Sequence, residues 1–192
     1  MPLDAPVTTT TGDSAIAADS NLTRVLKLTP HESVEIRSDT PEALEVEVRY
    51  EPGGSPPPKH LHPAQEEHFQ VLEGEMRTRV DGEERTLHAG DAIDIPRRAV
   101  HQIWNPGGAP TRATWITKPA GRTRQWFEAI DSLHREGRVG RNGMPSPLAF
   151  AVFLTEYDDV FQLVAGPRPL VYGALRALAP IGRRRGYSPH PG

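Results

Sequence analysis

The stretch GSPPPKHLHPAQEEHFQVLEG, residues 54–74, decides both the fold and the chemistry. His60 and His62 are two apart, and on a strand that spacing puts both imidazoles on one face. A turn over Pro63 to Glu66 resets the register, after which Glu67, Phe69 and Val71 share a face. A carboxylate can thus come alongside the two imidazoles. A second stretch, GDAIDIPRRAVHQIWN, residues 90–105, adds His101 at the start of another alternating run, with Ile103 on the same side. Taken singly, such histidines and glutamates are commonplace on solvated surfaces. Three imidazoles and one carboxylate on inward faces suit a single divalent first-row metal ion, with one or two coordination positions left open for a substrate or dioxygen.

Outward from these stretches the texture stays β-like, from Val25 to about Thr117. Leu44, Val46, Val48 and Tyr50 alternate with Glu45, Glu47 and Arg49, the pattern of a half-buried strand. Met76, Thr78 and Val80, then Ile93 and Ile95, then Ala113, Trp115 and Thr117 repeat it. Glycine-containing turns separate the runs at Gly53-Gly54, Glu73-Gly74, Asp81-Gly82, Ala89-Gly90 and Pro106-Gly107-Gly108. Many short strands spaced by such turns predict an antiparallel sandwich or barrel. From Thr123 the period changes. Trp126, Phe127, Ile130 and Leu133 fall at helical spacing, ending near Gly137. A second helix is predicted from Pro147 to Val164. A third is predicted from about Pro169 to Arg176 or beyond, limited by Pro180.

Composition narrows the chemistry further. The 192 residues allow one domain plus an appended segment. With no cysteine, thiolate metal sites, disulfides and cysteine nucleophiles are excluded. A net charge of −3 gives no field inviting nucleic acid, and the run Arg183 to Arg185 reads as a solvated tail. No apolar run reaches membrane-spanning length, and the first twenty residues have neither the basic nor the apolar part of a signal peptide. A cytoplasmic protein is expected. Residues 1–20 read as a flexible lead-in, 21–120 as the β-barrel and 121–192 as a helical extension.

Gly54, His60, His62, Glu67 and Gly74 resemble the first cupin motif, and Gly90, Pro96, His101 and Asn105 resemble the second. The departure is Arg98, where the family usually carries a glycine that eases a tight turn. The resemblance implies a mainly β fold, a double-stranded β-helix (jelly-roll) barrel, with the C-terminal helices packed outside it. It also implies metal ligation by His60, His62, Glu67 and His101, with the ion (iron, manganese, nickel, copper or zinc) unspecified. Homodimers built through the sheets are common in that family.

Inward phase puts Tyr50, Phe69, Met76, Thr78, Ile103 and Trp115 around or below the metal. Such a pocket favours a small, partly apolar or aromatic substrate. No phosphate loop, dinucleotide fingerprint or nucleophile elbow suggests other chemistry. The resemblance implies a dioxygenase-type oxidoreductase similar to the quercetinases, with Glu67 accepting a substrate proton. The alternatives are a non-oxidative metal-dependent isomerase or cyclase, and a small-molecule binding module without turnover. Arg97 and Arg98 sit beside the expected mouth; a solvent-exposed turn is the simpler assignment. His31 and His88 are expected to be exposed, and His68 and Gln70 to face outward.

Overall fold

A computed structural model describes residues 24–140 and 143–189. The expected lead-in, residues 1–20, lies outside the described residues. The first strands are β1 (Val25–Thr29), β2 (Glu32–Asp39), β3 (Leu44–Tyr50), β4 (His60–Leu61) and β5 (Glu66–Glu73). They continue as β6 (Glu75–Val80), β7 (Glu83–His88), β8 (Ala92–Ile95), β9 (His101–Trp104) and β10 (Thr111–Lys118). Then come α1 (Thr123–Arg135), α2 (Pro147–Glu156), a short β11 (Gln162–Leu163) and α3 (Arg168–Arg184).

The strands form two sheets. One runs β1-β2-β3-β10-β5-β8 and the other β11-β4-β9-β6-β7. Every pairing is antiparallel. This is the antiparallel barrel that the alternation predicted, in the mainly β, double-stranded β-helix form that the resemblance implied. The inward faces carry the core: Leu44, Val46, Val48 and Tyr50 of β3 are buried while Arg49 beside them is exposed. Ala113, Trp115 and Thr117 do the same on β10. Fully burying a side chain of this size stabilises the fold by about 1.5–3 kcal/mol.

The motif glycines sit where side chains are excluded. Gly74 turns the chain from β5 into β6 at φ +79°, and a Cβ there would lie 2.6 Å from the Pro110 carbonyl oxygen. Gly54 donates its N–H to Asn105 O at 2.7 Å, and Asn105 in turn donates to Ala109 O. The two ends of the motif region are thereby sewn together.

The helices lie against the barrel, and α1 reaches into its core. Phe127 is buried, with its ring 5.0 Å from that of Trp115. Two helix boundaries differ from expectation. The second helix stops at Glu156 rather than Val164. Val160 and Phe161 both donate N–H to Tyr157 O, and the chain then joins the edge of a sheet as β11. Edge pairing there outweighs helix propensity. The third helix does not stop near Pro180 but continues through it to Arg184. A proline in a helix interior costs about 3 kcal/mol. Here Ala179 and Gly182 are buried against α2, so tightly that a Cβ on Gly182 would lie 2.6 Å from Leu148 O. That docking holds the last turns in place. None of the described helices is long and apolar enough to cross a membrane.

Candidate metal centre

The barrel brings the three histidines and Glu67 together from both sheets. His60 on β4 pairs directly with His101 on β9, and His62 follows just beyond the end of β4. Glu67 faces them from β5 in the opposite sheet. The imidazole rings lie 4.3 Å (His60–His101), 5.1 Å (His62–His101) and 5.3 Å (His60–His62) apart, centre to centre. One nitrogen from each lies within 4.8 Å of the others.

Each ring is oriented by its outer nitrogen. Nδ1 of His60 lies 2.9 Å from Pro58 O, Nδ1 of His62 lies 2.6 Å from Val160 O, and Nδ1 of His101 lies 3.0 Å from Ala99 O. A carbonyl only accepts, so in each neutral ring the proton sits on Nδ1 and Nε2 presents a bare lone pair. The Glu67 carboxylate approaches these lone pairs. Its Oε1 is 3.2 Å from His62 Nε2, and its Oε2 is 3.0 Å from His101 Nε2. Two lone pairs at that distance repel unless a positive charge stands between them. His62 Nε2 and Glu67 Oε2 are buried without a hydrogen-bond partner. Buried polar atoms left so cost free energy, and a shared cation removes that cost.

The electrostatics agree. Burial alone pushes the Glu67 carboxyl up, but His62 and His101 outweigh it and bring the group down to about 2. Burial holds His60 well below the ordinary histidine value, aided by the neighbouring imidazoles. It also lowers His62. Burial works against His101 too, yet the Glu67 carboxylate beside it lifts it above the ordinary value. The pocket thus asks for one positive charge among these groups. The indole of Trp115 donates to Glu67 Oε1 at 3.1 Å and fixes the carboxylate plane. An all-nitrogen-and-oxygen donor set, with outer nitrogens tied to backbone carbonyls, fits a divalent transition ion.

The apolar cavity beside this cluster, about 150 Å³, has Tyr50, Phe69, Ile103 and Trp115 in its wall. Met76 and Thr78 were expected there too. They are fully buried but lie outside that wall, within the barrel's packing. Arg97 and Arg98 are exposed and do not line the cavity. His31 and His88 are exposed, and His68 pairs with Asp94 toward solvent. Gln65 is buried and donates to Pro119 O, Ala120 O and Thr123 Oγ1, bracing the start of α1.

Residues of the C-terminal extension complete the cluster, and the sequence did not single them out. Val160 supplies the carbonyl that orients His62. Phe161 stacks on His60 at 4.4 Å and on Trp126 at 5.2 Å. β11 pairs with β4, the strand that carries His60. A second acid, Glu32, also lines the cavity. Its signal was present in the alternation of Glu32 with Val34 and Ile36, both buried on β2.

Comparison with known proteins bears on the barrel. The family model described as a cupin domain matches residues 46–117. That match, with the two-sheet barrel, supports placing it in the cupin superfamily. The tetracenomycin polyketide synthase protein TcmJ of Streptomyces glaucescens is 33% identical over 61 residues. That alignment covers 32% of this chain and 41% of TcmJ, so the chain spans less than half of that relative. Among solved structures, KdgF from Halomonas sp. has a TM-score of 0.48 at 20% identity, covering 55% of this chain and 94% of that one. The polyketide cyclase RemF from Streptomyces resistomycificus has a TM-score of 0.45 at 21% identity, covering 51% and 75%.

Proposed function

We propose that the protein is a metal-dependent enzyme acting on a small, partly apolar or aromatic molecule that it holds through an oxygen atom. The observation that carries this reading is the clustering of the His60, His62 and His101 imidazoles, two of them with Nε2 against the Glu67 carboxylate, with every outer nitrogen engaged by a backbone carbonyl. His60, His62, Glu67 and His101 would hold one divalent ion, drawn from iron, manganese, nickel, copper and zinc. Such an ion, when bound, supplies a Lewis acid for a carbonyl or enol oxygen, or a redox centre. The protein's own residues do the rest. Phe69, Ile103 and Trp115 hold an apolar ligand and exclude water, and Trp115 keeps Glu67 in plane. Glu67 would accept a proton from the substrate's hydroxyl.

Two chemistries share this frame. Non-oxidative isomerisation or cyclisation is favoured by the likeness to TcmJ, a polyketide synthase protein, because polyketide chains are rich in carbonyl oxygens. Dioxygenase-type oxidation is favoured by the dry aromatic wall next to a cluster with room for a further ligand. Turnover of a panel of enolic and aromatic ketones, followed with and without oxygen, separates the two. Conversion that persists without oxygen supports the first, and conversion with stoichiometric oxygen uptake supports the second. Unmodified compounds in every case, with metal bound, would replace both by a binding module.

A further inference from the structure

The metal cluster occupies one part of the cavity; Glu32 and Tyr50 occupy another. The two residues face each other directly across β2 and β3 and share the inward phase of those strands. Both line the cavity that holds the imidazoles, and both also line a second cavity of about 530 Å³. Thr29, Pro57, Pro58 and Ile103 belong to both walls as well. The Glu32–Tyr50 pair therefore stands where the two spaces adjoin. Glu32 is half-buried in the same phase as Val34 and Ile36, which are buried and apolar, and an acid placed so pays a desolvation cost.

We propose that Glu32 and Tyr50 form a second ligand-binding end of this pocket, reading an oxygen function of the substrate away from the three imidazoles. The pocket then takes molecules with two separated oxygen functions on an apolar, flat body. The assignment rests on the reading of the cavity as a substrate site, but not on the presence of a metal.

The chemistry follows from the pair. Tyr50 stands opposite Glu32 across the two strands, and a protonated Glu32 carboxyl has an O–H to give to a ligand. Burial raises the Glu32 carboxyl to about 7; the Tyr50 hydrogen bond opposes this, and the Glu67 charge adds to it. Those two, Tyr50 on β3 and Glu67 on β5, are the titratable groups acting on it. Near neutrality a substantial share of the molecules thus carries a neutral acid here, able to donate to a carbonyl or ether oxygen. Two carboxyls in one pocket pushed to opposite ends of their range have separate roles.

The test is equilibrium binding of 2-naphthol and of 6-methoxy-2-naphthol, whose added oxygen only accepts. Wild-type protein, Glu32→Leu and Tyr50→Phe are compared, with metal content measured in parallel. Wild type should bind the methoxy compound about tenfold more tightly than 2-naphthol below about pH 6, the effect of one hydrogen bond to a buried group. That preference should shrink as pH rises through about 7 and vanish in Glu32→Leu. Tyr50→Phe should reduce it. Equal binding of both compounds by wild type, or a preference that survives in Glu32→Leu, overturns the proposal. A preference that holds in protein unable to take up metal would leave this assignment standing and remove the metal reading instead.

Discussion

At His62 the outer ring nitrogen gives its proton to the Val160 carbonyl, so only Nε2 is left for the cavity. His62→Ala should sharply lower metal stoichiometry while far-UV circular dichroism still reports the barrel; unchanged metal content would contradict the ligand assignment. Arg98 sits at φ +67° and donates its N–H to His62 O at 2.9 Å. A left-handed conformation costs a side-chain-bearing residue about 1–2 kcal/mol, which is why glycine suits this position. Arg98→Gly should raise the melting temperature by about 2–4 °C, read by calorimetry. Glu32 makes a pH prediction. Its folded value of about 7 lies above the ordinary 4.5, so between these the folded state holds more protons than the unfolded chain. Stability contributed by this group is full below about pH 4.5 and is lost as pH rises through about 7. In urea titrations at about pH 5 and pH 8, Glu32→Gln should show a smaller difference in midpoint than wild type. The four candidate ligands were legible because inward phase and the cupin-like spacing of His60, His62, Glu67 and His101 coincide. Glu32 was not, because an acid near a turn reads as solvated until the β2–β3 register sets it against Tyr50.

Among the elements, β11 has the largest consequence for its size. Two residues long, it pairs with the strand that carries His60, and the residues before it supply the His62 acceptor and the Phe161 ring stacked on His60. Outer partners of metal ligands are worth about 10–100-fold in affinity. Phe161→Ala should therefore weaken metal binding about tenfold, measured by competition with a chelator, with the fold intact; unaltered affinity would make the stack incidental. The strands of the barrel were legible because alternation of period two is a local signal. The end of α2 was not. Nothing in the run from Pro147 to Val164 announces that a sheet edge will capture Gln162 and Leu163. The passage of α3 through Pro180 was hidden for the same reason: it depends on Ala179 and Gly182 meeting α2.

Over the whole molecule, barrel and extension build one pocket. The barrel supplies the donor atoms, while Trp126, Phe127 and Phe161 from the extension close the wall around them. The family match lies within the barrel, at residues 46–117. His60, His62, Glu67 and His101 are proposed to hold one metal ion between them. Elemental analysis of protein purified without chelator or affinity metal, beside the His60→Ala/His101→Ala double variant, tests it most directly. The account predicts close to one equivalent of a divalent transition metal per chain, absent from the variant. No metal after reconstitution, or the same metal content in the variant, would contradict it.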